Sequence, residues 1–136
     1  MKPLLVTAAI IEADSKVLIA QRNSDSRFGA DQWEFPGGKV EFLESPEQCI
    51  AREIKEETDL TITVESLLHV NSHTYSDDKG KLQVVLVSYI CSVSSGEAVA
   101  LDCQDVKWVD RKDLESVNWC VADLPIVQAY IGSLNF

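Results

Sequence analysis

Residues 36–60 read PGGKVEFLESPEQCIAREIKEETDL. The second half of this stretch begins a helix. Glu44 or Ser45 supplies a polar cap, Pro46 takes the first helical position, and Glu47 and Gln48 follow near the positive end of the helix dipole. The helix is expected to run from about Pro46 to Thr58. At about 100° per residue, Ile50, Ala51, Ile54 and Thr58 fall on one side and should face a core. Glu53, Glu56 and Glu57 fall at i, i+3 and i+4 on a neighbouring stripe. Like charges at that spacing repel by a few tenths of a kcal/mol per pair. The stripe is therefore either a solvated acidic face or a seat for a cation. Two features favour the cation: Lys55 points elsewhere, leaving Arg52 as the only basic neighbour, and Pro36-Gly37-Gly38 reads as a turn whose backbone carbonyls can reach an ion on the helix. Such hard oxygen ligands suit Mg²⁺.

Upstream, Leu4 to Glu12 and Val17 to Gln21 are apolar runs flanking the polar cluster 13–16, and they read as a β-hairpin. Asn23 to Asp31 is loop-like, and Trp33 to Phe35 is a short strand. Beyond the helix, strands are expected at Leu60 to Val64, Leu67 to Tyr75, Leu82 to Ser92 and Val106 to Trp108, with a last helix over about Ala122 to Ile131. This order implies an α/β (α+β) chain, a mixed β-sheet with helices packed on it. There is no internal repeat or linker, so residues 1–136 read as a single domain.

With 136 residues, 46% of them hydrophobic, the chain is long enough to bury its own core. Twelve basic against 22 acidic residues, a formal charge of −10, argue against direct nucleic-acid binding. They also mean that a polyanionic substrate needs intervening cations. Cys49, Cys91, Cys103 and Cys120 form no C-x-x-C pair and read as reduced thiols of a cytoplasmic protein. No apolar run approaches the ~18 residues of a membrane helix, so no membrane partner is expected.

The pattern Gly38-x₅-Glu44-x₇-Arg52-Glu53-Ile54-x-Glu56-Glu57-x-Asp59-Leu60 resembles the Nudix box, here residues 38–60. It departs from that box at one defined position, where Asp59 replaces glycine. Asp tolerates the left-handed conformation that a helix end often requires, so the change costs some stability and removes no ligand. Glu34-Phe35-Pro36-Gly37-Gly38-Lys39, the first strand and Trp108 are similar to the MutT and CTP-pyrophosphohydrolase branch of that family, a resemblance running over essentially the whole chain. It implies the Nudix fold, a mixed sheet sandwiched between helices.

The resemblance also implies a Mg²⁺-dependent nucleoside triphosphate pyrophosphohydrolase, with Mn²⁺ as a substitute metal. The substrate would be an NTP or dNTP, with 8-oxo-dGTP and cytosine nucleotides as candidates, cleaved at the β-phosphorus to a monophosphate and pyrophosphate in the service of nucleotide-pool sanitation and DNA repair. Glu53, Glu56, Glu57 and the Gly37 carbonyl correspond to metal ligands, and Glu53 also to the base that activates water. Arg52 and Glu44 correspond to a pair that orients Glu53. Asp102 stands where relatives place a glutamate that joins the metal site; an exposed loop carboxylate is the equal alternative. Asp123 corresponds to a base-contacting residue, where an ionised carboxylate accepts from an amino group; a helix N-cap is the equal alternative, and one residue can do both. Arg22 is a candidate for phosphate, and Phe28 and Phe35 for stacking on a base or for the core. Glu34, Pro36, Gly37 and Gly38 complete the substrate-side set. Asn23 departs from the basic residue that MutT carries there, which argues against an identical 8-oxo-dGTP pocket. Tyr75 sits about where diadenosine-polyphosphate hydrolases have a tyrosine, and His69 and His73 read as strand surface or core. The rival readings are a hydrolase of another nucleoside diphosphate-linked compound (ADP-ribose, a sugar nucleotide, a dinucleoside polyphosphate) and a non-catalytic nucleotide-binding domain. Either a monomer or a homodimer fits.

Overall fold

The computed structural model describes residues 2–134. Its elements in chain order are β1 (Leu4–Ala13), β2 (Lys16–Gln21), β3 (Trp33–Glu34), β4 (Gly37–Lys39), α1 (Pro46–Thr58), β5 (Thr61–Asp77), β6 (Gly80–Ser95), β7 (Asp105–Asp110) and α2 (Leu124–Ser133), with 3₁₀ turns at Arg111–Ser116 and Val121–Asp123. The expected hairpin is present, turning through Asp14 at a positive φ of 57°.

The sheet is mixed. β1 runs parallel to β6 over Leu4 to Glu12, and β6 pairs antiparallel with β5. On its other side β1 meets β2 only at Glu12 and Ala13, after which the two strands diverge. β7 pairs with β2 along its whole length and so occupies one of its two edges. The segment 33–39 therefore fills the split: β3 bonds to β2, and β4 bonds to β1 at Val6 to Ala8. This insertion carries the Gly37-Gly38 backbone into the middle of the sheet.

Both faces of β1 are buried, which explains its unbroken apolar run. Ala8 and Ile10 join the core under α2, with Phe35, Trp119, Ile126 and Tyr130. Ala9 and Ile11 join the core under α1, with Ile50, Ile54 and Leu60. The expected sandwich of a mixed sheet between helices is thus present.

Helix α1 starts with a reciprocal cap: the Gln48 N–H donates to Ser45 Oγ at 3.1 Å and the Ser45 N–H to Gln48 Oε1 at 2.9 Å. It ends at Asp59 in the left-handed region, φ 65° and ψ 7°. The buried side is Cys49, Ile50, Ile54, Glu57 and Thr58, with Ala51 exposed. The apolar arc is thus centred between Ile50 and Ile54, and Cys49 takes the inward place expected of Ala51.

Three other expectations are corrected. Pro36-Gly37-Gly38 is not a turn but the entry to β4. The sharp turn comes later, where the Glu44 N–H bonds to the Glu41 carbonyl at 3.0 Å and Leu43 has φ 69°. The strands expected at 60–64 and 67–75 are one strand, β5, because the polar break at Glu65 and Ser66 is absorbed in register shifts against β6. The last helix begins at Leu124, since Ala122 and Asp123 belong to the preceding 3₁₀ turn. Among the described residues no helix is long and apolar enough to cross a membrane.

Candidate active site

The split between β1 and β2 opens onto two adjoining cavities. The first, about 340 Å³, has Gly37, Gly38, Glu53, Glu57 and Asp102 in its wall. The second, about 210 Å³, is lined mainly by apolar side chains, including Phe28, Tyr75, Leu82 and Val84. Arg22, Glu34 and Asp123 face both. A polar, acidic chamber and an apolar one thus meet at one cation and two carboxylates.

The acidic chamber is built by close backbone approach. A Cβ on Gly37 would lie 2.0 Å from the Thr7 carbonyl oxygen, and one on Gly38 would lie 2.2 Å from the Glu53 carboxyl carbon. Only glycine lets β4 pass between β1 and α1. The carbonyls of Pro36 and Leu5 accept from Ala9 and Val40 at 2.8 and 2.9 Å. By the alternation of an antiparallel ladder, Gly37 between them turns its own N–H and C=O away from β1. Its N–H donates to Glu57 Oε2 at 3.1 Å, so its carbonyl points toward the same chamber.

Arg52 organises the helix carboxylates. Its Nε and Nη2 grip Glu44 at 2.7 and 3.0 Å, and Nη1 donates to Glu53 at 2.9 Å and to Glu56 at 3.2 Å. The Arg52 fork, aided by the Glu41 N–H, holds the Glu44 carboxyl down at about 2. Burial raises the Glu53 carboxyl, with Arg52 pulling against it. Glu57 is pushed up to about 8, first by burial and then by the charge of Glu34, with Glu53 and Asp102 adding to it. Glu44, Arg52 and Glu56 are not part of the cavity wall, and the Glu56 side chain is exposed to solvent.

Among the described residues no three His, Cys, Asp or Glu side chains form an assembled cage for an ion. Arg52 draws Glu53 and Glu56 to itself, and Glu57 bonds to Gly37. The donor chemistry fits a hard divalent cation all the same. The chamber gathers carboxylates, with Glu57 raised first by burial and then by its acidic neighbours, and it holds hard oxygen donors of the kind Mg²⁺ prefers. Asp102 is exposed on the connection from β6 to β7, which is tied to the end of α1 by Leu101 N–H to the Glu57 carbonyl at 2.9 Å.

At the junction, Arg22 Nη1 pairs with Glu34 at 3.1 Å and Arg22 Nε donates to the Phe28 carbonyl at 2.9 Å. Asp123 is 4% exposed, and its Oδ2 accepts the Phe35 N–H at 2.9 Å. Burial first, then the charge of Glu34, raises it well above the ordinary carboxylate range. It occupies the N-cap position of α2 but makes no side-chain cap, because its carboxylate turns inward to the Phe35 N–H. Phe35 is a core residue, packing at 4.7 Å on Trp119, with an edge on the acidic chamber and none on the apolar one. Pro36 is buried and lines neither cavity. Cys103 and Ser26 line the acidic chamber and Leu86 both cavities, without having stood out in the sequence. No motif marks them, because they arrive from separate elements. All four cysteines are free.

A family model described as NUDIX domain matches residues 1–130. The chain is 35% identical over 132 residues to a CTP pyrophosphohydrolase of Escherichia coli, covering 97% of this chain and 94% of that one. It is 37% identical over 117 residues to an ADP-ribose pyrophosphatase of Methanocaldococcus jannaschii, covering 86% and 66%. It is 27% identical over 127 residues to an 8-oxo-dGTP diphosphatase of Escherichia coli, covering 93% and 95%. Among solved structures, the E. coli ORF135 protein superimposes with a TM-score of 0.79 at 32% identity, covering 97% and 91%.

Proposed function

This chain belongs to the Nudix hydrolase family, and from that premise we propose that it hydrolyses a nucleoside triphosphate to the monophosphate and pyrophosphate with Mg²⁺. Hydrolases of this family generally work with a divalent metal. One observation carries the proposal: an acidic chamber and an apolar lobe adjoin at Arg22, Glu34 and Asp123. A nucleotide has the same polarity, with a polyphosphate at one end and a flat base at the other.

Glu53, Glu56, Glu57 and the Gly37 carbonyl would hold the metal, with Asp102 at the open side. Bound Mg²⁺ supplies neutralisation of phosphate charge and a lowered pKa for water. Glu53 takes the proton from the attacking water, a role favoured by the upward shift of its carboxyl toward neutrality. Arg52, fixed by Glu44, orients Glu53. Arg22 lies at the junction, where its guanidinium can turn from Glu34 to a phosphate oxygen. Asp123 accepts from an amino group of the base, and the apolar lobe excludes water around the ring. In-line attack then separates pyrophosphate, with positioning supplying much of the rate.

The likeness to an ADP-ribose pyrophosphatase keeps a second substrate class in view. A hydrolysis screen over NTPs, dNTPs, oxidised and methylated nucleotides, ADP-ribose and dinucleoside polyphosphates, with products identified, separates the two. Pyrophosphate from a triphosphate is the expected result. Turnover confined to ADP-ribose or other diphosphate-linked compounds would replace the proposal.

A further inference from the structure

Residues 22–32, which connect β2 to β3, form the outer wall of the apolar lobe through Phe28. Their hydrogen bonds are mostly internal, such as Ser26 N–H to Asn23 and Gln32 N–H to Gly29, or lead back toward Gln104 and Asn118. Among the described residues one polar tie joins this loop to the β5–β6 hairpin. Arg27 Nε donates to Asp77 Oδ2 and Nη2 to Oδ1, both at 2.8 Å. The same guanidinium lies 4.7 Å over the Phe28 ring, and Phe28 stacks on Tyr75 at 4.7 Å and 19°. Asp77 is fixed in its hairpin turn by the Lys79 N–H, which donates to Oδ1 at 2.9 Å. Phe28 and Tyr75 line the lobe, whereas Arg27 and Asp77 do not.

From this geometry we propose that Arg27 and Asp77 form a clasp that sets the width of the base lobe, making them specificity-determining residues outside the site itself. The inference rests on the reading of the lobe as a base pocket. An aromatic wall by itself stacks on any base, so discrimination between one-ring and two-ring bases depends on where the wall stands. The planar fork fixes direction as well as distance. An exposed pair contributes little to global stability, so opening the clasp leaves the fold intact while Phe28 is released from Tyr75.

The test uses Arg27→Met, which keeps the aliphatic stem on Phe28 and removes the fork, and Asp77→Asn, which keeps an oxygen for the Lys79 N–H. Calorimetric affinities of the wild type and both variants are measured for CMP, UMP, AMP and GMP. The ratio between one-ring and two-ring bases should move toward unity by about fivefold in each variant, the scale such a pair can impose, with melting temperatures nearly unchanged. Arg27→Lys, which keeps the charge without the fork, should fall between. An unchanged ratio, an equal loss for all four bases, or no binding of any to the wild type would overturn the clasp. Turnover of triphosphates with Mg²⁺ on the same samples tests the hydrolase reading separately: turnover with an unshifted ratio removes the clasp alone, and a shifted ratio without turnover removes the hydrolase alone.

Discussion

Glu53 carries opposing demands. It lies against Gly38 where no other residue fits, it is bonded to Arg52 at 2.9 Å, and in the proposed reaction it must accept a proton. Glu53→Gln should lower kcat by about 10²–10⁴-fold while circular dichroism and melting temperature stay close to wild type; near-normal turnover would take the base role from it. Gly38→Ala tests the same contact from the other side. The new methyl must displace the Glu53 carboxylate, so kcat should fall. Gly37→Ala differs, because its obstacle is the Thr7 backbone carbonyl at 2.0 Å rather than a movable side chain. It should destabilise the protein by about 1–3 kcal/mol, read from denaturant unfolding. The need for these glycines was not legible as such. The sequence suggests a turn, and only the pairing of β4 with β1 shows that the requirement is close approach.

At the scale of the element, α1 is the most self-determined part of the chain. Its cap, its proline, its apolar arc and its acidic stripe all lie within a few residues of one another, so periodicity and propensity describe it almost to the residue. Asp59 is its one strained point, at φ 65°. Asp59→Gly should raise stability by about 0.5–1 kcal/mol, less the small contribution of the exposed Lys55–Asp59 pair at 3.3 Å, with kcat unchanged. Ser45→Ala should cost about 1 kcal/mol through loss of the reciprocal cap. Both are read from thermal or denaturant unfolding, and an effect of either on kcat beyond a few-fold would mean that the helix ends position the carboxylates more tightly than their distance from the cavity implies. The strands are less legible. β5 reads as two segments because a bulge preserves pairing across a polar break that alternation alone cannot bridge.

Across the whole molecule, acidic groups are concentrated around one cavity. Glu57 has a pKa of about 8 when folded, against an ordinary value of 4.5, and burial shifts Glu34 and Asp123 the same way. A folded-state pKa raised above the unfolded one means that, between the two values, the folded chain holds a proton the unfolded chain has lost. This contribution to stability is full below about pH 4.5 and declines as pH rises to about 8. The metal-free protein should therefore lose melting temperature over that window; the opposite trend of Glu44 and Asp77, lowered from 4.5 and 3.8 to about 2, lies below it. Glu57→Gln should flatten the decline. Added Mg²⁺ should raise the melting temperature most at the alkaline end, where the carboxylates are free to bind it. A metal-free profile flat from pH 5 to 8 would contradict the burial of these groups.

Short-range physics encodes a capped amphipathic helix with a fixed glutamate spacing, a hairpin, and a family resemblance carried by that helix. Long-range packing brings Asp123 to the Phe35 N–H across 88 positions, residues 33–39 into the gap between β1 and β2, and Arg27 to Asp77. Propensity and periodicity act over about one helical turn or a few strand residues, whereas these contacts depend on which distant segments are packed side by side once the core has formed.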